Sequence, residues 1–105
     1  MPHTVIPAAS MRPVAYAVTC LPDGHPWQAD LTLSVEQRDG GWIVLHGFRT
    51  LSRDGTWDLT EDGAAWSAQH RFELDQALEL ARAAAPHVLV NGRGVAQALL
   101  IHPGP

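Results

Sequence analysis

The chain has 105 residues, a formal net charge of −4, and a composition that is 46% hydrophobic and 17% charged, the profile of one globular domain with one core. All seven of its basic residues other than histidine are arginine, which excludes a lysine-dependent P-loop, a Schiff-base lysine and a pyridoxal phosphate site. The acidic balance gives no general attraction to phosphate backbones or anionic membranes, and a single cysteine, Cys20, excludes an intrachain disulfide and any CxxC motif.

Residues 1–13 carry three prolines and no periodicity, so an extended or disordered arm is expected there, preceding one domain over 14–102. The arm has no cationic n-region and no unbroken apolar run, and no stretch of the chain reaches membrane-spanning length. The expectation is a cytoplasmic protein with no membrane contact. "VAYAVTC" (14–20) reads as a first strand ended by the proline-bounded turn "LPDGHP".

In "QADLTLSVEQ" (28–37), Ala29, Leu31, Leu33 and Val35 alternate with Asp30, Thr32, Ser34 and Glu36, a half-buried strand with one wet face. Asp39-Gly40 suits a two-residue hairpin turn in which both central residues take positive φ. "WIVLHGFRT" (42–50) is the return strand. An even-numbered loop sets Ala29, Leu31, Leu33 and Val35 on the face of Trp42, Val44, His46 and Phe48. Ile43 and Leu45 then fall on the opposite face with Ser34 and Glu36. The return strand is therefore apolar on both sides, and the expected cover for Ile43 and Leu45 is the arm or another subunit, the first indication of a homodimer.

"RDGTWDLTEDGAAWSAQHRF" (53–72) reads as a second hairpin, with turns at Asp54-Gly55 and Asp62-Gly63. Trp66, Ala68, His70 and Phe72 point one way in its last strand, and Ser67, Gln69 and Arg71 the other. Leu74, Ala77, Leu78, Ala81 and Ala85 then recur at helical spacing. Glu73 and Asp75 lie at the positive end of the helix dipole and Arg82 near the negative end, and Pro86 stops the helix. "HVLV" reads as a short buried strand and "NG" as a turn. "VAQALLI" (95–101) fits either a short helix or an edge strand. The fold class is α+β: an antiparallel meander of about five strands packed by one helix over residues 74–85, then a short strand and a possible short C-terminal helix.

Cys20, His46 and His70 share the inward phase of three expected strands and are candidates for a Cys–His nucleophile pair or a metal site. No Asp or Glu shares that phase to orient an imidazole or complete a zinc shell, so no catalytic site, metal site or cofactor is expected. The six histidines show no HxxxH or HExxH spacing. Asp54, Asp58 and Asp62 lack the calcium-loop arrangement and read as turn or solvated strand residues. Arg49, Arg53, Arg71 and Arg93 form one basic stripe if the second hairpin lies near the 91–94 turn, which would serve nucleic acid. Of four tryptophans, Trp42 and Trp66 fall inward, whereas Trp27 and Trp57 are candidate partner anchors together with Ile43, Leu45 and Arg93.

"AAWSAQHRFELDQALELARAAAPHVLVNG", preceded by "RDGTWDL", resembles small uncharacterised proteins of actinobacteria and their mobile elements over about residues 40–100, a group with no activity to transfer. Leu74, Ala77, Leu78 and Ala81 are also similar to the "xLxxALxxA" helix of HicB antitoxins, where a short meander precedes the helix and a strand follows it. That likeness implies an antitoxin-like or DNA-linked regulator, although the family's appended DNA-binding segment is missing here. Three functions follow: a non-enzymatic protein–protein interaction module acting as a homodimer, a regulator using the arginine stripe, and a small Cys/His enzyme. The first is the leading expectation.

Overall fold

The computed structural model describes residues 4–103. Five antiparallel strands, β1 (Ala15–Val18), β2 (Leu33–Arg38), β3 (Gly41–His46), β4 (Arg49–Leu51) and β5 (Trp57–Leu59), lie side by side in chain order. The fold is α+β with the expected meander. Asp39 and Gly40 take φ of 48° and 81° at the β2–β3 turn, which sets Val35 opposite Val44 and Glu36 opposite Ile43. The anticipated division of the two faces follows from that register.

The strands arise at different places from those expected. β2 begins only at Leu33; before it, Leu31 N–H bonds the carbonyls of Trp27 and Gln28 in a helical turn. The stretch 42–50 is two strands, because Gly47 at φ 61° reverses the chain and pairs His46 with Arg49. A positive φ at the first central residue alone is the demand that two-residue hairpins meet with glycine.

The first face of the sheet carries Leu33, Val35, Val44 and Leu51, all buried, together with Phe72. Helix α2 (Leu74–Ala84) lies over it and contacts β2 and β3. Ala77 and Ala81 are fully buried on its inner side; their small side chains let the helix axis approach the sheet closely, so burial of apolar area is what holds this layer. A 3₁₀ turn, Ala85–His87, ends the helix at Pro86. The "HVLV" segment is extended without being a strand, with Val88 buried, Leu89 exposed and an isolated bridge between Val90 and Arg93. Residues 95–101 resolve as helix α3 (Val95–Ile101), its first N–H group at Gly94 accepted by the Gln97 side chain at 2.9 Å.

The second face holds the main departure from expectation. Residues 64–70, anticipated as the last strand of a hairpin, form helix α1 (Ala64–His70). Trp66 and His70 are four apart, so they share one side of that helix, and both are buried. By register, Asp58 faces Thr50 and Thr50 faces Leu45, which puts Asp58 on the side of Ile43. The contact between His70 and Asp58 therefore lays α1 over the second face of β3 to β5. Ile43 is only 3% exposed. Its cover is its own chain, so the reason for a partner at Ile43 falls away, while Leu45 stays half-buried at the border of the covered area. Phe72 returns to the sheet beyond the end of β4, exchanging two backbone hydrogen bonds of 2.8 Å with Trp42.

Of the arm expected over 1–13, residues 1–3 lie outside the described residues. Residues 4–14 carry no helix or strand, and Val5, Ile6 and Met11 are 86%, 84% and 100% exposed.

Candidate functional site

The Cys20/His46/His70 constellation does not assemble. His46 is on the first face, where its Nε2 lies 2.7 Å from the Asp30 carbonyl oxygen and its ring stands edge-on to Trp57. His70 is on the second face, so the sheet separates the two imidazoles. Cys20 is exposed just past the end of β1. Among the described residues no group of three His, Cys, Asp or Glu side chains is placed to hold a metal ion.

His70 is instead a structural clamp. Its ring stacks on Trp66 with centroids 4.4 Å apart and planes 9° from parallel. Nδ1 donates to the Trp66 carbonyl at 2.7 Å and Nε2 meets Asp58 Oδ2 at 2.8 Å. Both ring nitrogens are therefore engaged, one by a main-chain carbonyl and the other by a carboxylate oxygen. No ring nitrogen is left free to take a proton from a substrate, which removes His70 as a general base in this conformation. The network continues outward: Thr56 Oγ1 lies 3.3 Å from both Asp58 oxygens and 2.7 Å from Ser52 Oγ. Sequence reasoning missed Asp58 as the partner of His70. The available signal was the spacing of Trp66 and His70, read as period two when it is also one helical turn.

A second buried histidine was missed. His25 Nδ1 accepts the Trp27 N–H at 3.0 Å, which leaves the proton on Nε2, and Nε2 lies 3.0 and 2.9 Å from the carbonyl oxygens of Ala98 and His102. The imidazole thereby ties the 21–27 turn to the C-terminal end of α3, adding a donor to the Ala98 carbonyl, which also accepts the His102 N–H, and supplying one to the His102 carbonyl.

The arginines do not make a free stripe. Arg53 caps the end of α1, with Nε donating to the Ala68 carbonyl at 2.7 Å and Nη2 to the Arg71 carbonyl at 2.6 Å, and its guanidinium lies over the Phe72 ring. Arg71 runs across Gly41 and donates to the Asp39 carbonyl. Arg49 donates to the Trp57 carbonyl at 3.4 Å. Arg93 stands elsewhere, with its guanidinium over the ring of Trp27 at 5.8 Å.

Two surfaces bear on the expected partner contacts. The first is a cleft of about 410 Å3 lined by Trp27, Asp30, Leu31, Val90, Asn91 and Arg93. It unites two of the anticipated partner anchors, whereas Trp57 is half-buried beside His46. The second is the outer edge of β1. Gln37 N–H bonds the Val14 carbonyl, so by alternation Tyr16 and Val18 bond inward to Val35 and Leu33 and the backbone groups of Ala15 and Ala17 point away from the sheet. Beside this edge a shallow groove runs over Ala15, Ala17, Thr19, Gln28, Thr32 and Ser34, the part of the second face that α1 does not reach. No helix among the described residues is long and apolar enough to cross a membrane. No family model, curated protein or solved structure matches the chain.

Proposed function

We propose that the protein is a non-enzymatic protein–protein interaction module that works as a homodimer, joined through the outer edge of β1. The observation that carries this reading is an edge strand without protection. "VAYAVTC" (14–20) contains no charged residue and no proline, yet among the described residues the outward N–H and C=O groups of Ala15 and Ala17 have no partner. Soluble proteins ordinarily blunt such edges with charge, proline or a covering element. A second copy fits the requirement because an antiparallel strand pair is self-complementary about a two-fold axis. In that pairing the arm of each copy, leading into β1, runs past Val18 of its partner toward the groove at Thr19, Gln28 and Thr32. The exposed Val5, Ile6 and Met11 then gain an apolar surface to cover. Ile43 takes no part. The engagement of both His70 nitrogens, and the separation of His46 from His70 by the sheet, support a role without catalysis.

Light scattering on the eluting protein tests the proposal, which expects a mass twice the 11.4 kDa chain. Ala17→Pro removes an outward N–H and no inward bond, so it is tolerated by the fold and blocks the edge. The variant is expected to elute as a monomer with an unchanged far-ultraviolet circular dichroism spectrum. A wild-type monomer at high concentration, or a folded Ala17→Pro dimer, overturns the assignment.

A further inference from the structure

We propose that the cleft between Trp27 and Arg93 binds a free α-amino acid with an aliphatic side chain, an inference independent of the dimer. Arg93 is presented by a rigid turn: Val90 and Arg93 exchange backbone hydrogen bonds of 2.9 and 3.0 Å, with Asn91 at φ 52°. The guanidinium carbon lies 5.8 Å from the centroid of the Trp27 ring, a cation–π contact that uses none of its N–H donors. Among the described residues, that guanidinium makes no hydrogen bond or ion pair, and neither does the carboxylate of Asp30 in the same cleft. The Asp30 main chain is itself fixed, its carbonyl bonded to the His46 ring. The same cleft is lined by the apolar side chains of Leu31 and Val90.

This arrangement selects by charge as well as by size. A simple carboxylate gains from Arg93 and is opposed by Asp30, and a simple amine meets the reverse. A zwitterion satisfies both: its carboxylate pairs with the guanidinium fork and its ammonium with Asp30, while the side chain lies on Trp27, Leu31 and Val90. The volume stands at the small end of the roughly 300–1,000 Å3 of ligand pockets, room enough for one amino acid.

The test is a titration of the full chain followed by the indole N–H resonance of Trp27, assigned by its loss in Trp27→Phe. The probes are L-leucine, 4-methylpentanoate, which lacks the ammonium, and 3-methylbutylamine, which lacks the carboxylate, each taken to about 10 mM, where a Kd of 1 mM or tighter approaches saturation. The expected result is a saturable shift with L-leucine and at least tenfold weaker binding of both analogues. Arg93→Gln and Asp30→Asn, both on the surface, are each expected to weaken L-leucine at least tenfold while leaving the rest of the spectrum in place. The proposal is overturned by the absence of a saturable shift with L-leucine, by an analogue that binds as well as the amino acid, or by variants that bind like the wild type.

Discussion

The two helices that cover the sheet do so by different physics. α2 lies on the first face through fully buried Ala77 and Ala81 against Leu33, Val35 and Val44, and no side-chain hydrogen bond ties it to the strands. α1 lies on the second face with two buried side chains, Trp66 and His70, and is fastened by directional bonds: Trp66 Nε1 to the Leu59 carbonyl, His70 to Asp58, and Arg53 to the carbonyls at its C-terminal end. Area burial is non-directional and cooperative, whereas a few hydrogen bonds hold only while each partner stays in place. The first face is therefore the global core, and the second is a unit able to open by itself.

The largest effect that separates them is a cavity under α2. Leu33→Ala removes a fully buried side chain and is expected to cost about 3 kcal/mol, lowering Tm by more than about 10 °C, since the close-packed Ala side of α2 cannot collapse into the gap. Thermal unfolding should stay a single transition, and a loss under about 1 kcal/mol would mean that the first face is not the core. Next comes the clamp. His70→Ala strands the Asp58 contact and unstacks Trp66, for an expected loss of about 2 kcal/mol. Asp58→Asn should lose less, about 1 kcal/mol, because the Asp58 side chain is 47% exposed and its charge is partly screened. In both variants amide exchange should accelerate across 64–70 and stay slow across 74–84. Equal acceleration in α2 would show that the two faces open together and that the contrast drawn above is false.

His25→Ala probes a third attachment with a smaller expected effect, about 1 kcal/mol, because it frees the His102 carbonyl and orphans the Trp27 N–H, while the Ala98 carbonyl keeps its bond from the His102 N–H. Faster exchange should be confined to α3 and the 25–28 turn. Unchanged protection of residues 98–102 would show that the imidazole does not hold that end of the chain.

Residues 33–46 were legible because two independent signals agreed there. The alternation of Leu33 and Val35 and the positive-φ preference of Asp39-Gly40 each specify the same register. Residues 64–70 were not, because Trp66, Ala68 and His70 satisfy period two while Trp66 and His70 also satisfy one helical turn. The three alanines of "AAWSAQH", favourable in a helix and poor in a strand, were the deciding signal. The candidate surfaces were less legible still. Arg93 meets Trp27, and His25 meets Ala98, through contacts of high sequence separation that no local periodicity encodes. Asp58 was visible only as a turn or solvated strand residue until α1 turned His70 toward it.

The finest of these contrasts rests on Gly41, where the sheet leaves room for an arginine. A Cβ built there would stand 2.2 Å from Arg71 Cγ and 2.4 Å from Cδ; these atoms sit near the base of the side chain, so the whole Arg71 side chain must move. The backbone at Gly41 is not in the positive-φ region, so alanine meets no conformational objection, and the clash is the only cost. Gly41→Ala is expected to lose about 1 kcal/mol, the small end of overpacking, together with the Arg71 bond to the Asp39 carbonyl. The same substitution made on an Arg71→Ala background meets no side chain and should be neutral or slightly stabilising, since a strand residue with a Cβ loses less entropy on folding than glycine. A double-mutant cycle by urea unfolding reads that change of sign. If Gly41→Ala costs the same in both backgrounds, the crossing of Arg71 over the β2–β3 hairpin is not what glycine serves at this position.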